Sequence, residues 1–261
     1  MTYKILFLDI DGTILKPDHT YTESTKNAIA KVKEQGVEVF LATGRPLHEI
    51  DDLAKELDIH SYIGYNGAFA VYRDKTVVNE PMDKNTVEQF LDIAKKNDHE
   101  LVLYTRDTSY YTTLTRPLVT HFIDTFQMKK SELYNGEHKD QILGATLMNL
   151  SPSQPALYEL GANIHLSPVH VPGVEHCYDI IRKNVNKGIA VDKVLDLLDI
   201  PREQAIAFGD GMNDKEMLQA VGEGFAMGNA PKELFHYAKD KTTTVSDDGI
   251  VNGLKKLGLT V

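Results

Sequence analysis

Asp9-Ile10-Asp11-Gly12-Thr13-Ile14-Leu15 places two carboxylates two residues apart, directly after the apolar run 5–8. In extended backbone the side chains at i and i+2 point the same way, so both acids face one side while Ile10 faces the other. Gly12 lets the chain turn sharply away. One acid of such a pair can attack as a nucleophile while the other handles protons, and both can share a metal ion. Asp-Gly is also common at turns with solvated acids, so the motif alone leaves two readings open.

Three further clusters could carry chemistry. Thr43-Gly44-Arg45 ends a second β-rich run and precedes Pro46. A hydroxyl and free backbone N–H groups at a helix start suit a phosphate, but so does an ordinary Thr-capped turn. Lys187-Gly188 opens a helical pattern; a lysine there can hold a phosphate as a point charge or simply be solvated. Gly209-Asp210-Gly211-Met212-Asn213-Asp214 packs acids and an amide at a density that suits a hard divalent cation. It suits an Asx turn capping the next helix equally well. Met227-Gly228-Asn229-Ala230 is a weaker echo, with a role in the site open to Asn229.

The elements around these clusters decide between the readings. Residues 5–8 are read as a strand buried on both faces. Residues 22–35 carry helical spacing and stop at Gly36. Residues 37–42 form a second strand, Pro46 starts a helix whose apolar face is Ile50, Leu53, Ala54 and Leu57, and 62–64 form a third strand. This βαβαβ run predicts an α/β fold with a doubly wound, Rossmann-like parallel sheet. The pattern resumes late, with helices over 188–198, 215–221, 231–238 and 250–256 and strands over 205–208, 224–227 and 242–245. Between them the reading is α+β: helices over 85–96, 118–126 and 154–160, strands over 101–104, 109–112, 142–149, 164–167 and 175–181. The expected organisation is a catalytic core of residues 1–81 and 184–261 with an inserted domain, 82–183, near the usual domain size. On this layout the chemical clusters all sit at strand C-terminal ends, where open α/β sheets bind ligands. Four chance turns sharing that arrangement is a poor explanation.

Composition narrows the function classes. The chain has 261 residues, a hydrophobic fraction of 42% and a charged fraction of 25%, which fits a globular rather than a disordered protein. A formal net charge of −10 argues against nucleic acid and anionic membrane surfaces as partners. An acidic protein can still bind a small phosphate ester if a metal ion or a local donor cluster supplies the positive field. The single cysteine, Cys177, excludes a disulfide within the chain and is expected to be a small buried hydrophobe. No apolar run approaches the length of a membrane span, so the expected location is the cytoplasm. Nothing in the sequence sets an oligomeric state.

The four clusters, in their order, resemble the motifs of the haloacid dehalogenase superfamily, in its Cof-like sugar-phosphatase branch. Asp9 to Thr13 resembles the first motif, Thr43-Gly44-Arg45 the second, Lys187-Gly188 the third and Gly209 to Asp214 the fourth. Asn66-Gly67-Ala68 also matches the branch. The resemblance spans the chain and implies a Mg²⁺-dependent phosphatase, with 82–183 as a large α/β cap. It implies Asp9 as the nucleophile that accepts the phosphoryl group and Asp11 as general acid, then base. The second acid points to phosphoryl transfer and away from dehalogenation. The implied cation is held by the Asp9 side chain, the Asp11 carbonyl and Asp210. Thr43, Gly44, Lys187 and Asn213 are implied to hold phosphate oxygens, and Asp214 to orient the metal shell. Mg²⁺ and Mn²⁺ both suit oxygen ligands. The expected partner is a small phosphorylated metabolite, with sugar phosphates foremost. In the cap, His121, Tyr110, Tyr111, Arg116 and His170 are candidate specificity residues, each more readily explained by packing or exposure.

Two other functions fit the same residues. A phosphomutase of the phosphomannomutase type would return the phosphoryl group to a sugar instead of to water. A metabolite-sensing protein with vestigial activity would not need to keep Asp9, Asp11, Lys187 and Asp210 together.

Overall fold

The computed structural model describes residues 2–169 and 171–259. In chain order the first strands are β1 (Ile5–Leu8), β2 (Glu38–Ala42), β3 (Ser61–Gly64), β4 (Phe69–Tyr72) and β5 (Lys75–Asn79). The middle strands are β6 (Glu100–Tyr104), β7 (Ser109–Tyr111), β8 (Ser131–Leu133), β9 (Gly144–Met148), β10 (Ile164–Pro168) and β11 (Tyr178–Arg182). The last are β12 (Ala205–Gly209), β13 (Glu223–Ala226) and β14 (Asp240–Lys241). The α-helices are α1 (Glu23–Glu34), α2 (Asp51–Glu56), α3 (Lys84–Asn97), α4 (Pro117–Thr125), α5 (Lys187–Leu198), α6 (Lys215–Ala220) and α7 (Gly249–Lys256). They divide between two compact units, one of Met1–Arg45, Asp51–Val78 and Asn186–Val261, the other of Pro46–Ile50 and Asn79–Val185.

The first unit is built on an eight-stranded sheet in the order β14-β13-β12-β1-β2-β3-β4-β5. From β14 to β3 all pairs are parallel, and β4 turns antiparallel onto β3. All four residues of β1 are buried, as two covered faces require. Ile5, Phe7, Phe40 and Ile63 pack on one face with Val191 and Val194 of α5 and Met217 of α6. On the other, α1 packs with α7, whose Gly253 leaves no room for a Cβ against the Phe208 ring. The expected doubly wound α/β core is therefore what forms. Its register sets the site: Leu8 pairs with Phe208 and with Leu41, and Gly209 pairs with Ala226. Asp9, Ala42, Asp210 and Met227 then emerge along one edge.

The second unit is a six-stranded sheet in the order β10-β11-β9-β6-β7-β8, antiparallel except for the β7–β8 pair. Strand alternation sorts its two cores. Leu101, Leu103, Ala145 and Leu147 face Val87, Phe90 and Ala94 of α3, while Val102, Tyr111 and Met148 face Val119 and Phe122 of α4. Asp83 caps α3 by accepting from Thr86 N at 3.0 Å.

The structure corrects several local expectations. The helix expected from Pro46 is interrupted. Residues Leu47–Glu49 form a 3₁₀ turn before α2 begins at Asp51. His48 within that turn is drawn to Ser109 Oγ at 3.1 Å and to the Arg106 carbonyl at 3.3 Å, which competes with a regular helix. Pro46 itself is extended, with ψ 139°, so it precedes the turn rather than sitting inside it. The 231–238 and 154–160 segments shrink to the 3₁₀ turns Leu234–His236 and Pro155–Tyr158. The strand expected at 242–245 lies earlier and is only β14, because Thr242, Thr243 and Thr244 turn away into side-chain bonds with Gly249 O, Asp247 O and Asp247 Oδ2. β4, β5 and β8 went unpredicted.

Asn186 accepts from Ile189 N at 2.9 Å and caps α5, whose first residue is Lys187. Asn186→Ala should lower stability by about 1 kcal/mol in urea unfolding, the usual cost of a lost N-cap.

Candidate active site

The sheet edge brings together residues from five loops of the first unit. Asp9, just past β1, is 6% exposed; Lys187 and Asp214 are fully buried. Lys187 Nζ donates to Asp9 Oδ1 and to Asp214 Oδ1, each at 2.6 Å. A lysine at the first position of a helix meets the positive end of the helix dipole, and burial adds a desolvation cost. Two carboxylates make that placement tolerable. Burial alone would lower the Lys187 pKa, but Asp214 and then Asp9 reverse the shift and keep the ammonium charged.

Asp214 is held at both ends. Its Oδ2 accepts from Asp210 N and Gly211 N, each at 3.0 Å, while Oδ1 faces Lys187. Ligand atoms of Asp9, Asp210 and Asp214 lie within 4.8 Å of one another. Three acids thus face one lysine, an excess of negative charge in a buried place. Burial first, and the Asp214 charge second, push Asp9 well above the usual carboxylate range and Asp210 up to about 6. Such a set of hard oxygen donors with surplus charge fits a divalent cation. Because both Asp214 oxygens are already engaged, Asp9 and Asp210 are the better placed ligands.

Gly12 adopts φ +80°, and a Cβ there would collide with the Asp210 carboxylate. Only glycine allows the first loop to pass so close. Thr13 Oγ1 reaches Asp210 Oδ1 at 3.4 Å. Thr43 is buried, and its Oγ1 accepts from Arg45 N at 3.0 Å, leaving its own proton free to donate. Gly44 passes against the Asn66 amide, and Asn66 Oδ1 accepts from Asn213 Nδ2 at 3.0 Å.

Of the sequence-predicted site residues, Asp9, Lys187, Asp210 and Asp214 meet directly. The carboxylate of Asp11 does not join them. Arg45 grips it in a fork, Nε to Oδ2 at 2.7 Å and NH2 to Oδ1 at 2.5 Å. In the second unit, Tyr111 is wholly buried, Tyr110 stacks on His138, Arg116 pairs with Asp98 and Glu100, and His121 lies against Gly173 and Thr125. His170 lies outside the described residues.

Two features escaped sequence reasoning. Arg45 enters the sequence reading only within Thr43-Gly44-Arg45, and nothing near it in the sequence names Asp11, 34 residues away, as its partner. Tyr65 and Asn66 are both left-handed, with φ 52° and 53°, a strained pair that sets the Asn66 amide between Gly44 and Asn213. The Asn-Gly dipeptide there was the available hint.

Residues 6–254 match the haloacid dehalogenase-like hydrolase family. The chain belongs to that family. A Bacillus subtilis strain 168 protein, YkrA, whose name carries only a provisional phosphatase label, is 32% identical over 259 residues, covering 99% of each chain. The 5-amino-6-(5-phospho-D-ribitylamino)uracil phosphatase YitU of the same organism is 29% identical, over 97% of this chain and 96% of its own. A crystal structure of a hypothetical protein from Geobacillus kaustophilus HTA426 superposes with a TM-score of 0.91 at 28% identity, over 99% of this chain and 100% of the other. Like its family, the protein is an enzyme, a hydrolase of the phosphatase class. No helix among the described residues is long and apolar enough to cross a membrane.

The raised pKa of Asp210 has a measurable consequence. Between its ordinary value of 3.8 and about 6 the folded protein binds more protons than the unfolded chain, so stability falls as pH rises through that window. In cation-free buffer the loss attributable to Asp210 should be on the order of 3 kcal/mol. Urea titrations from pH 4 to pH 7 should show a slope that Asp210→Asn flattens and that excess Mg²⁺ offsets at the upper end.

Proposed function

We propose that this protein is a Mg²⁺-dependent phosphatase that hydrolyses phosphate monoesters of small metabolites, with sugar phosphates as the substrate class, through an aspartyl-phosphate on Asp9. One observation carries the reading: Asp9 is held by a buried lysine at 2.6 Å, beside two more acids whose oxygens can share a cation. The donor set fits Mg²⁺, with Asp9 and Asp210 as side-chain ligands, the Asp11 carbonyl completing the protein's share and Asp214 orienting the shell. Bound there, the cation would neutralise charge on the phosphoryl oxygens during transfer.

The chain's own residues account for the rest. Lys187 aims Asp9 and counters part of the burial that raises its pKa, and its charge faces the transferring group. Asp9 attacks phosphorus, the bond to the ester oxygen breaks, and Asp11 gives that oxygen a proton. Water then attacks the same phosphorus and gives a proton to Asp11, the bond between Asp9 and phosphorus breaks, and Asp9 is released with inorganic phosphate. On this reading the Thr43 hydroxyl, the Gly44 N–H and Asn213 hold phosphate oxygens. A protonated Asp11 can keep only one of its two contacts with Arg45, so proton delivery requires that fork to loosen. We take residues 82–183 as the cap that selects the leaving group.

The substrate class rests on the family resemblance and on YitU, whose named substrate carries its phosphate on a ribityl chain. Phosphate release from a panel of monoesters, with and without Mg²⁺, tests the proposal. Release should require the cation, be highest for a phosphorylated sugar or sugar alcohol, and fall by roughly three or more orders of magnitude in Asp9→Asn. A folded protein that releases no phosphate from any ester with Mg²⁺ present refutes it.

A further inference from the structure

Asn229 lies on the loop after β13, outside the acids of the site, yet every polar atom of its amide is committed. Nδ2 donates to the Gly12 carbonyl at 2.9 Å and to Asp210 Oδ2 at 3.1 Å, and Oδ1 accepts from Val245 N at 2.9 Å. The three bonds fix the amide orientation, since a flipped amide would set its oxygen against two acceptors. They also join three loops: the turn after β1, the acid after β12 and the segment after β14. Met227 N bonds to Gly209 O and Gly228 N to Thr243 O, so the backbone that carries Asn229 is itself pinned between β12 and that last segment.

The bond to Asp210 falls where it matters. It occupies Oδ2, the oxygen that stands nearest Gly12, and leaves Oδ1 with only the long contact from Thr13. A carboxylate whose one oxygen is tied back has its other oxygen aimed, which is how outer partners tune metal ligands elsewhere. The same amide holds the peptide at Gly12, directly after Asp11, and so fixes the backbone whose Asp11 carbonyl would face the cation.

We propose that Asn229 is a positioning residue that ties Asp210 to the turn after β1, so that the donors converge on a divalent cation. This deepens the metal-site reading above and rests on it. It predicts that Asn229 governs cation affinity more than ester binding. Asn229→Ala removes all three bonds. Asn229→Asp keeps the shape and the bond to Val245 N but turns an oxygen toward two acceptors.

The test is direct binding of Mn²⁺ to the metal-stripped full chain, by electron paramagnetic resonance, without substrate. Mg²⁺ activation curves and ester KM at saturating Mg²⁺ accompany it. Both variants should bind Mn²⁺ about 10–100-fold more weakly than the wild type. Their Mg²⁺ activation should shift in parallel, with ester KM at saturating Mg²⁺ nearly unchanged. Unchanged Mn²⁺ affinity in either folded variant overturns the role of Asn229 while leaving the metal site intact. Failure of both variants to fold, even with excess cation, makes the residue architectural and also overturns it. A wild type that binds no Mn²⁺ removes the metal site itself and this proposal with it.

Discussion

Lys187 sits in a dry place that its charge should avoid, at the positive end of a helix, and is held there by Asp9 and Asp214. Much of the first unit serves that contact. The helix must begin at Lys187, so Asn186 caps it. The turn at Tyr65-Asn66-Gly67 must clear the cap, and at Gly67 a Cβ would meet the Asn186 carbonyl. Gly188 must be small because the next helix passes with its Glu216 carbonyl against it. Removing one member of the triad would leave a buried charge without its partner, so these residues constrain one another more than any surface pair could.

The parallel sheet turns that local constraint into a site. Side-by-side register delivers Asp9 and Asp210 to the same edge, and the stacked Phe208 and Phe225 rings, 4.9 Å apart, lock the strands behind them. The result is more carboxylate than ammonium in one buried cluster. Electrostatics then favours a cation over closer packing of the acids, which explains how a chain with net charge −10 can receive an anionic ester. Catalysis of phosphoryl transfer asks for little else than positioned charge.

Much of this was legible in the sequence because the signals were periodic or chemically dense. The apolar run before Asp9, the helical spacing before Gly36 and the acids of 210–214 each point to one structure. What failed was local and depended on partners far along the chain. The helix from Pro46 breaks because His48 finds Ser109 and Arg106. The threonines at 242–244 look like strand formers, but their hydroxyls turn to Asp247 and Gly249. β4 and β5 follow a tight turn and lack strict alternation. In the site, the meeting of Asp9, Asp210, Asp214 and Lys187 could be read from type and position, while Asp11 was expected there and instead faces Arg45. The fork from Arg45 to Asp11 and the three bonds of Asn229 could not, because short polar side chains reveal their partners only once the loops are folded beside each other.

The claim at the centre of this account is that Asp9 carries the phosphoryl group. Rapid quenching of the enzyme during turnover of a good ester with Mg²⁺, followed by borohydride reduction and peptide mass spectrometry, reads that bond directly. An acyl phosphate on Asp9 is reduced to homoserine at that position alone, and this is the predicted result. A turnover-competent enzyme with Asp9 unmodified, or with the modification on another side chain, would contradict the account.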